Sequence, residues 1–296
     1  MSFSGTVKEE ISKHISSARH CQLAELAAII QFCGRVGKDE NGADALLLDT
    51  ENESVKIKYF TLLKKTFNID SAKKLDNDDI WNILQAVKVV DSKGVMHALS
   101  APVSSVLLKQ SCCKRAYLRG AYLCIGSMSD PKGSYHLEMV CNTEAQADQI
   151  CEILAYFGLD GRIIERKKHF VVYMKEGAAI VDFLNICEAH VALMEMENER
   201  IVKEVRNSVN RRVNCEAANI TKTVNAATKQ IAEIELLRDE YGLYNLPPNL
   251  REMAEVRLEY PDATLAELGE YLNPPVGKSG VNHRLRRLSE IAQSIQ

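Results

Sequence analysis

The sequence has no apolar run approaching the roughly 18 residues that a membrane span requires. Its opening, MSFSGTVKEEISKHI, interleaves acids and lysines where an export leader would put a basic stretch and then an apolar block. Both absences lead us to expect a soluble, cytoplasmic protein with no membrane partner. CxxC pairs are missing as well: the nine cysteines stand at 21, 33, 112, 113, 124, 141, 151, 187 and 215. Zinc needs clustered ligands, so this odd, scattered set reads as reduced core thiols. We therefore expect no metal and no other cofactor, and vicinal Cys112 and Cys113 are the only redox candidates. A charge excess is also lacking. The formal net charge of −3 says nothing in favour of nucleic acid, so any electrostatic role must come from how the charges are distributed.

The 296 residues are 46% hydrophobic and 26% charged, the composition of a globular chain with apolar material for two domains. Acids concentrate early, at Asp39, Glu40, Asp44, Asp49, Glu51 and Glu53. Between 200 and 229 the cations Arg200, Lys203, Arg206, Arg211, Arg212, Lys222 and Lys229 face only Glu204 and Glu216. Near the end, Lys278, Arg284, Arg286 and Arg287 face Glu290. The pattern is an acidic body carrying a basic rear half.

An internal repeat organises the first two-thirds. LAAIIQFCG, residues 26–34, returns ninety-two residues later as LRGAYLCIG, residues 118–126. Each reads as an apolar helix, over 22–33 and 115–125, ending in a glycine that suits the left-handed closing position. Ala24, Ala27 and Ala28 in one helix, with Gly120 and Ala121 in the other, allow two backbones to approach closely. Helices apolar nearly all round are buried, so these two should pack on each other at a pseudo-two-fold axis.

In the first copy a turn around Asn41 and Gly42 leads to the strand-like ADALLLD and then to SVKIKYFTLLKKTFNID. In the second, a turn around Pro131 and Gly133 leads to YHLEMV and then to AQADQICEILAYFGLDG. Leu62, Leu63 and Phe67 share a helical face, as do Ile153, Leu154 and Phe157. RIIERKKHFVVYM supplies a further hairpin, and the residues from Ile180 to Leu184 an apolar helix. The expected fold class is α+β, with two αββαββα units at about 20–100 and 112–196 and helices on one face of each sheet.

The rear third divides into a basic linker, 197–219, and a helical domain, 220–296. In VRNSVNRRVNCEAAN, Asn207, Asn210 and Asn214 recur with Lys203 and Arg211 on one helical face, while Val202, Val205, Val209 and Val213 line another. Asparagine is a poor helix former. Either this stretch touches phosphates and adenine edges, or it is a solvated linker. A helix from Ile220 to Tyr241 leads through LPPN to REMAEVRLEY. Asp262 and Thr264 then signal a cap before LAELGEYL, NPPVGK forms a turn, and SGVNHRLRRLSEIAQSI forms a basic helix, which is the profile of a helix-turn-helix. In the last helix Val281, Leu285, Leu288 and Ala292 share the core arc. Ser279 is placed as N-cap, and Asn282, His283, Arg286 and Arg287 project outward.

Together with the opening MSFSGTVKEE, these segments resemble the WhiA family of bacterial regulators over essentially the whole chain, and the paired helices resemble the LAGLIDADG homing-endonuclease fold. That fold's motif puts a metal-binding acid before the glycine of each helix. The positions hold Cys33 and Ile125, which offer a hard divalent cation no carboxylate oxygen, so the resemblance implies a catalytically dead domain. An active endonuclease would need substitutes such as Glu25, Asp130 and Glu138. The family resemblance implies a transcriptional regulator of sporulation, or of cell division and chromosome segregation, in Gram-positive bacteria. It would be nucleoid-associated, with double-stranded DNA as partner and room for a regulatory protein. The residues expected at DNA are Lys278, Ser279, Asn282, His283, Arg284, Arg286 and Arg287, with Arg206, Asn210, Arg211, Arg212 and Asn214. A scaffold that recruits a protein to DNA is the alternative. The sheets should form a lopsided saddle, acidic in the first repeat and carrying Arg162, Arg166, Lys167 and Lys168 in the second. Affinity should then reside mainly in 197–296.

Overall fold

The computed structural model describes residues 2–38, 44–70, 75–91 and 93–295. Asp39, Glu40 and the turn at Asn41 and Gly42 lie outside the described residues. Two compact units are present, Met1–Lys203 and Glu204–Gln296.

In the first unit α1 (Phe3–Lys13) precedes α2 (Arg19–Cys33), β1 (Gly34–Lys38), β2 (Asp44–Leu48), α3 (Glu53–Phe67) and α4 (Asn77–Ala86). The second copy is α5 (Ser111–Ile125), β3 (Gly126–Met128), β4 (Leu137–Cys141), α6 (Glu144–Tyr156), β5 (Arg162–Arg166), β6 (His169–Met174) and α7 (Gly177–Ile186). Its sheet has the order β3-β4-β6-β5, all antiparallel. Leu137, Met139 and Cys141 of β4 alternate inward beneath the helices.

The second copy has the expected αββαββα order, whereas the first departs from it. Only residues 68–76 join α3 to α4, and among the described residues no strand lies there. The corresponding stretch between α6 and α7 holds the whole β5–β6 hairpin. Residues 68–76 are too few for two five-residue strands and a turn. After α4, the described residues of the first copy show an isolated bridge, Val90 with Met96.

α2 and α5 pack together as expected. Gly120 marks their closest approach, because a Cβ there would lie 2.7 Å from the Glu25 carbonyl oxygen and 2.9 Å from the Ala28 Cβ. The glycines that end the two helices are not left-handed. Gly34 and Gly126 have φ of −80° and −82° and run straight into strands. Glycine is needed there for space, since a Cβ would fall 2.4 Å from the Ile30 carbonyl oxygen or 2.6 Å from that of Tyr122.

A buried charge cluster threads this interface. Glu25, fully buried, bonds Lys58 of α3 at 2.9 Å and Arg119 of α5 at 3.4 Å. Arg119 reaches Glu188 at 2.7 Å, and Glu188 meets His14 at 2.9 Å. Lys58 also donates to the carbonyls of Ile11 and His14. All nine cysteines are free; Cys21, Cys33, Cys113, Cys141 and Cys187 are buried, whereas Cys215 is exposed and departs from the core reading.

α8 runs unbroken from His190 to Leu236, passing from the first unit into the second. The expected boundary between linker and helix at 219/220 does not exist. The stretch holds neither glycine nor proline, so poor propensity alone does not interrupt the backbone hydrogen bonds. A π-helical turn (Leu237–Tyr241) and a 3-10 turn (Leu243–Asn245) follow, then α9 (Pro248–Glu259), α10 (Leu265–Glu270) and α11 (Lys278–Ile295).

Glu25→Ala leaves Lys58 and Arg119 buried without their shared carboxylate. Urea unfolding should register a loss of about 3–5 kcal/mol in the first unit; a change within the error of the wild type would show that the cluster does not support the helix pair.

Candidate nucleic-acid interface

Ile234, Leu250, Met253, Leu268, Leu272, Val281, Leu285, Leu288 and Ala292 form the small core on which α9, α10 and α11 are mounted. Thr264 starts α10 through a capping box: its hydroxyl accepts from the Glu267 N–H at 3.4 Å, and the Glu267 carboxylate accepts from the Thr264 N–H at 2.7 Å. After the turn, the N–H groups of Gly280 and Val281 donate to the Gly277 carbonyl at 2.8 and 3.1 Å. Gly277 is therefore the capping residue, and Ser279, expected in that role, sits exposed inside the first turn of α11. Glycine caps nearly as well as threonine, so the helix begins two residues early.

Val281, Leu285, Leu288 and Ala292 form the buried arc of α11, as their spacing predicts. Lys278, Ser279, Asn282, His283, Arg286 and Arg287 are exposed. Arg284 is not part of that set. Its side chain is 18% exposed, and its guanidinium donates to the Asn249 carbonyl at 3.3 Å and to Glu252 at 3.4 Å, while Glu252 also accepts from the Asn273 N–H at 2.7 Å. Arg284 thus fastens α11 to α9, and the Asn273 N–H fastens the turn to the same Glu252. Arg286 and Arg287 both reach Glu290, at 3.7 and 2.7 Å. Such exposed pairs contribute about 0–1 kcal/mol and are readily exchanged for another anion.

Lys278 and Asn282 share a cavity of about 500 Å³ with Thr264 and with Lys222 and Gln230 of α8. In the sequence Lys222 is one cation in a charged run; the fold sets it beside the start of α11. Farther up α8, Arg206, Asn210, Arg211, Arg212 and Asn214 are all exposed, and among the described residues the three arginines have no ion-pair partner. Arg206 stands about 24 Å along the helix from Lys222 at 1.5 Å per residue. Glu235, Asp239, Glu240, Glu255, Glu259 and Glu270 of the same unit are exposed too, so the rear half is not basic throughout.

Three domain families match the chain: one described as the WhiA N-terminal LAGLIDADG-like domain over residues 19–75, one as the WhiA LAGLIDADG-like domain over 114–206, and one as the WhiA C-terminal HTH domain over 209–292. The probable cell division protein WhiA of Lachnoclostridium phytofermentans is 48% identical, with the whole of both chains covered. That of Alkaliphilus oremlandii is 47% identical over 100% of this chain and 98% of its own. The chain belongs to the WhiA family. The crystal structure of full-length DUF199/WhiA from Thermatoga maritima matches it with a TM-score of 0.57 and 26% identity, covering 100% of this chain and 99% of that one.

At the ends of the two WhiA LAGLIDADG-like helices, Cys33 and Ile125 stand immediately before the glycines. Cys33 is buried and Ile125 half-buried. A hydrogen bond from Cys124 holds the Cys33 thiol below its ordinary range, while burial pushes Cys124 well above its own. Lys8, itself a cation, acts on both thiols, and Asp49 is the carboxylate that acts on Cys33. The substitute acids do not converge. Glu25 is locked between Lys58 and Arg119, Asp130 accepts from the Lys132 N–H at 2.8 Å, and Glu138 bonds His136 at 3.2 Å and Arg166 at 3.6 Å. On the sheet of the second repeat, Arg166 is thus partly neutralised and Arg162 meets Asp160 at 3.5 Å, while Lys167 and Lys168 form the hairpin turn at φ of 46° and 71°.

Gly269 governs the geometry of the WhiA helix-turn-helix. A Cβ at this position would stand 2.0 Å from the Val276 carbonyl oxygen, and the Val276 N–H bonds the Gly269 carbonyl at 2.9 Å. Gly269→Ala should destabilise the C-terminal unit by about 1–3 kcal/mol through overpacking against backbone. Calorimetry of the full chain checks this, and an unshifted transition would contradict the close contact.

Proposed function

We propose that the protein is a sequence-specific, double-stranded-DNA-binding transcriptional regulator that acts in cell division and chromosome segregation, or in sporulation, and that it cuts no DNA. One observation carries the reading: α11 buries one arc completely and turns Asn282, His283, Arg286 and Arg287 outward from its N-terminal half, where a recognition helix meets base edges. Lys278 and Ser279, with Lys222, are assigned to phosphates at the same end. Arg206, Asn210, Arg211, Arg212 and Asn214 extend the backbone contact along α8. Arg284 acts by holding α11 in place. The name the relatives carry, probable cell division protein, supports the cellular role. The mismatch of Cys33 and Ile125 with a divalent-metal site supports the absence of cleavage. The protein is then cytoplasmic and nucleoid-associated.

A second reading, a scaffold that recruits a regulatory protein to DNA, is favoured by α8. Val202, Val205, Val209, Val213, Ile220 and Val224 are exposed along the face turned from Asn207, Asn210, Asn214 and Arg211, with Arg206 and Arg212 bordering it. On that reading Val209→Ser with Val213→Ser removes a co-purifying protein and leaves DNA affinity intact.

Sites selected from random duplexes by the full chain supply the test. Arg286→Ala and Arg287→Ala should each cost about 1–3 kcal/mol on the selected site and relax its preference at one position. Arg211→Ala should weaken selected and unrelated duplexes alike. Bound duplex should stay intact in Mg²⁺ or Mn²⁺. Unchanged affinity in the double arginine variant, or nicking that disappears with Glu25, Asp130 or Glu138, would overturn the assignment.

A further inference from the structure

The paired helices hold a second constellation at the ends opposite Cys33 and Ile125. α2 begins Arg19-His20-Cys21 and α5 begins Ser111-Cys112-Cys113, so the same two positions of the first turn, ninety-two residues apart, supply one histidine and three cysteines. His20 Nδ1 lies 3.2 Å from Cys113 Sγ, 3.3 Å from Cys21 Sγ and 4.0 Å from Cys112 Sγ. The four ligand atoms all fall within 4.8 Å of one another. Around a tetrahedral zinc ion, with bonds of about 2.3 Å to sulfur and 2.0–2.1 Å to nitrogen, ligand atoms sit roughly 3.6–3.8 Å apart.

We propose that His20, Cys21, Cys112 and Cys113 form a Cys₃His site for one structural zinc ion, which ties the N-terminal ends of the two pseudo-symmetric helices together. The ligand set is complete, with no open coordination position, so the ion's role is structural. A group of ligand atoms this compact fits a single ion, and thiolate with imidazole suits zinc. Neither helix has a side-chain N-cap, so two helix starts present uncapped N–H groups beside the cluster. Cys21 and Cys113 are buried and anchor the site, while Cys112 is half-buried and His20 exposed. A cavity of about 330 Å³, lined by Cys21, Cys112, Arg115 and Arg119 among others, adjoins the cluster. Scattered in the sequence, these cysteines carry none of the usual zinc spacing, because each repeat contributes two adjacent residues and the fold supplies the other half.

The full chain, purified from zinc-supplemented cells without chelator, should hold about one zinc per chain by elemental analysis. Cobalt(II) alone, added to the metal-free chain under reducing conditions, should give the thiolate charge-transfer band and the tetrahedral ligand-field bands. Cys112→Ser and His20→Ala alter the two more accessible ligands, so circular dichroism should show both variants folded. Each should lose zinc affinity by about 10–100-fold or more, since even loss of a supporting group outside the ligand set has an effect of that size. His20→Cys should keep the tetrahedral cobalt spectrum with a stronger charge-transfer band, and Cys215→Ser should leave everything unchanged. The proposal is overturned by any of four results: a chain that retains no zinc, cobalt bands indifferent to Cys112→Ser and His20→Ala, an iron–sulfur chromophore on these residues, or a native disulfide among the three cysteines.

Discussion

The fold depends on the close approach of α2 and α5. Without a side chain at Gly120 the two backbones come within contact distance, and once they do, Glu25 has no route to water. Its charge is then satisfied only by Lys58 and Arg119, which arrive from two different helices. The cluster therefore selects a single register for α2, α3 and α5. A buried ion pair adds little net stability but penalises every arrangement that leaves one partner alone. The glycines at the far ends extend the same constraint, because each helix passes into a strand with no space for a Cβ.

From this pairing follows a division of labour within the chain. The ends where a nuclease would gather carboxylates hold Cys33, Cys124 and Ile125, with Lys8 and Asp49 acting on the Cys33 thiol, and so offer no pair of carboxylates to a hard divalent cation. The opposite ends gather soft ligands. Exposed cations gather elsewhere, on α8 and α11, and α11 is held by the small core, by Gly269 and by the Arg284–Glu252 contact.

Much of this was legible in the residues. The repeat, the buried helices, the Thr264 cap and the two faces of α11 follow from periodicity and capping chemistry, which act locally. Features set by space were not legible. Gly34 and Gly126 look like left-handed helix ends, and only the packed structure shows that clearance is their role. The missing hairpin of the first repeat was hidden because SAKKLDND has the composition of a polar turn, whatever its length. Asn-rich α8 reads as a linker since propensity is a weak prior against an unbroken hydrogen-bond ladder. Arg284 and Arg286 are two residues apart and chemically identical, and only the position of Glu252 separates the one that holds from the one that reaches outward.

On the proposed reading, affinity for DNA resides in α8 and α11, with the sheet of the second repeat contributing little. Because α8 is continuous, a cut at 196/197 would sever it, so the comparison belongs in the full chain. The decisive measurement is the salt dependence of duplex binding by fluorescence anisotropy. One variant would carry Arg211→Ala, Lys222→Ala and Lys278→Ala, and another Arg162→Ala, Arg166→Ala, Lys167→Ala and Lys168→Ala. The first should flatten the slope of log K against log salt by about 0.9 for each phosphate no longer neutralised, while the second should leave it unchanged. A slope flattened by the sheet variant and untouched by the helix variant would contradict that reading.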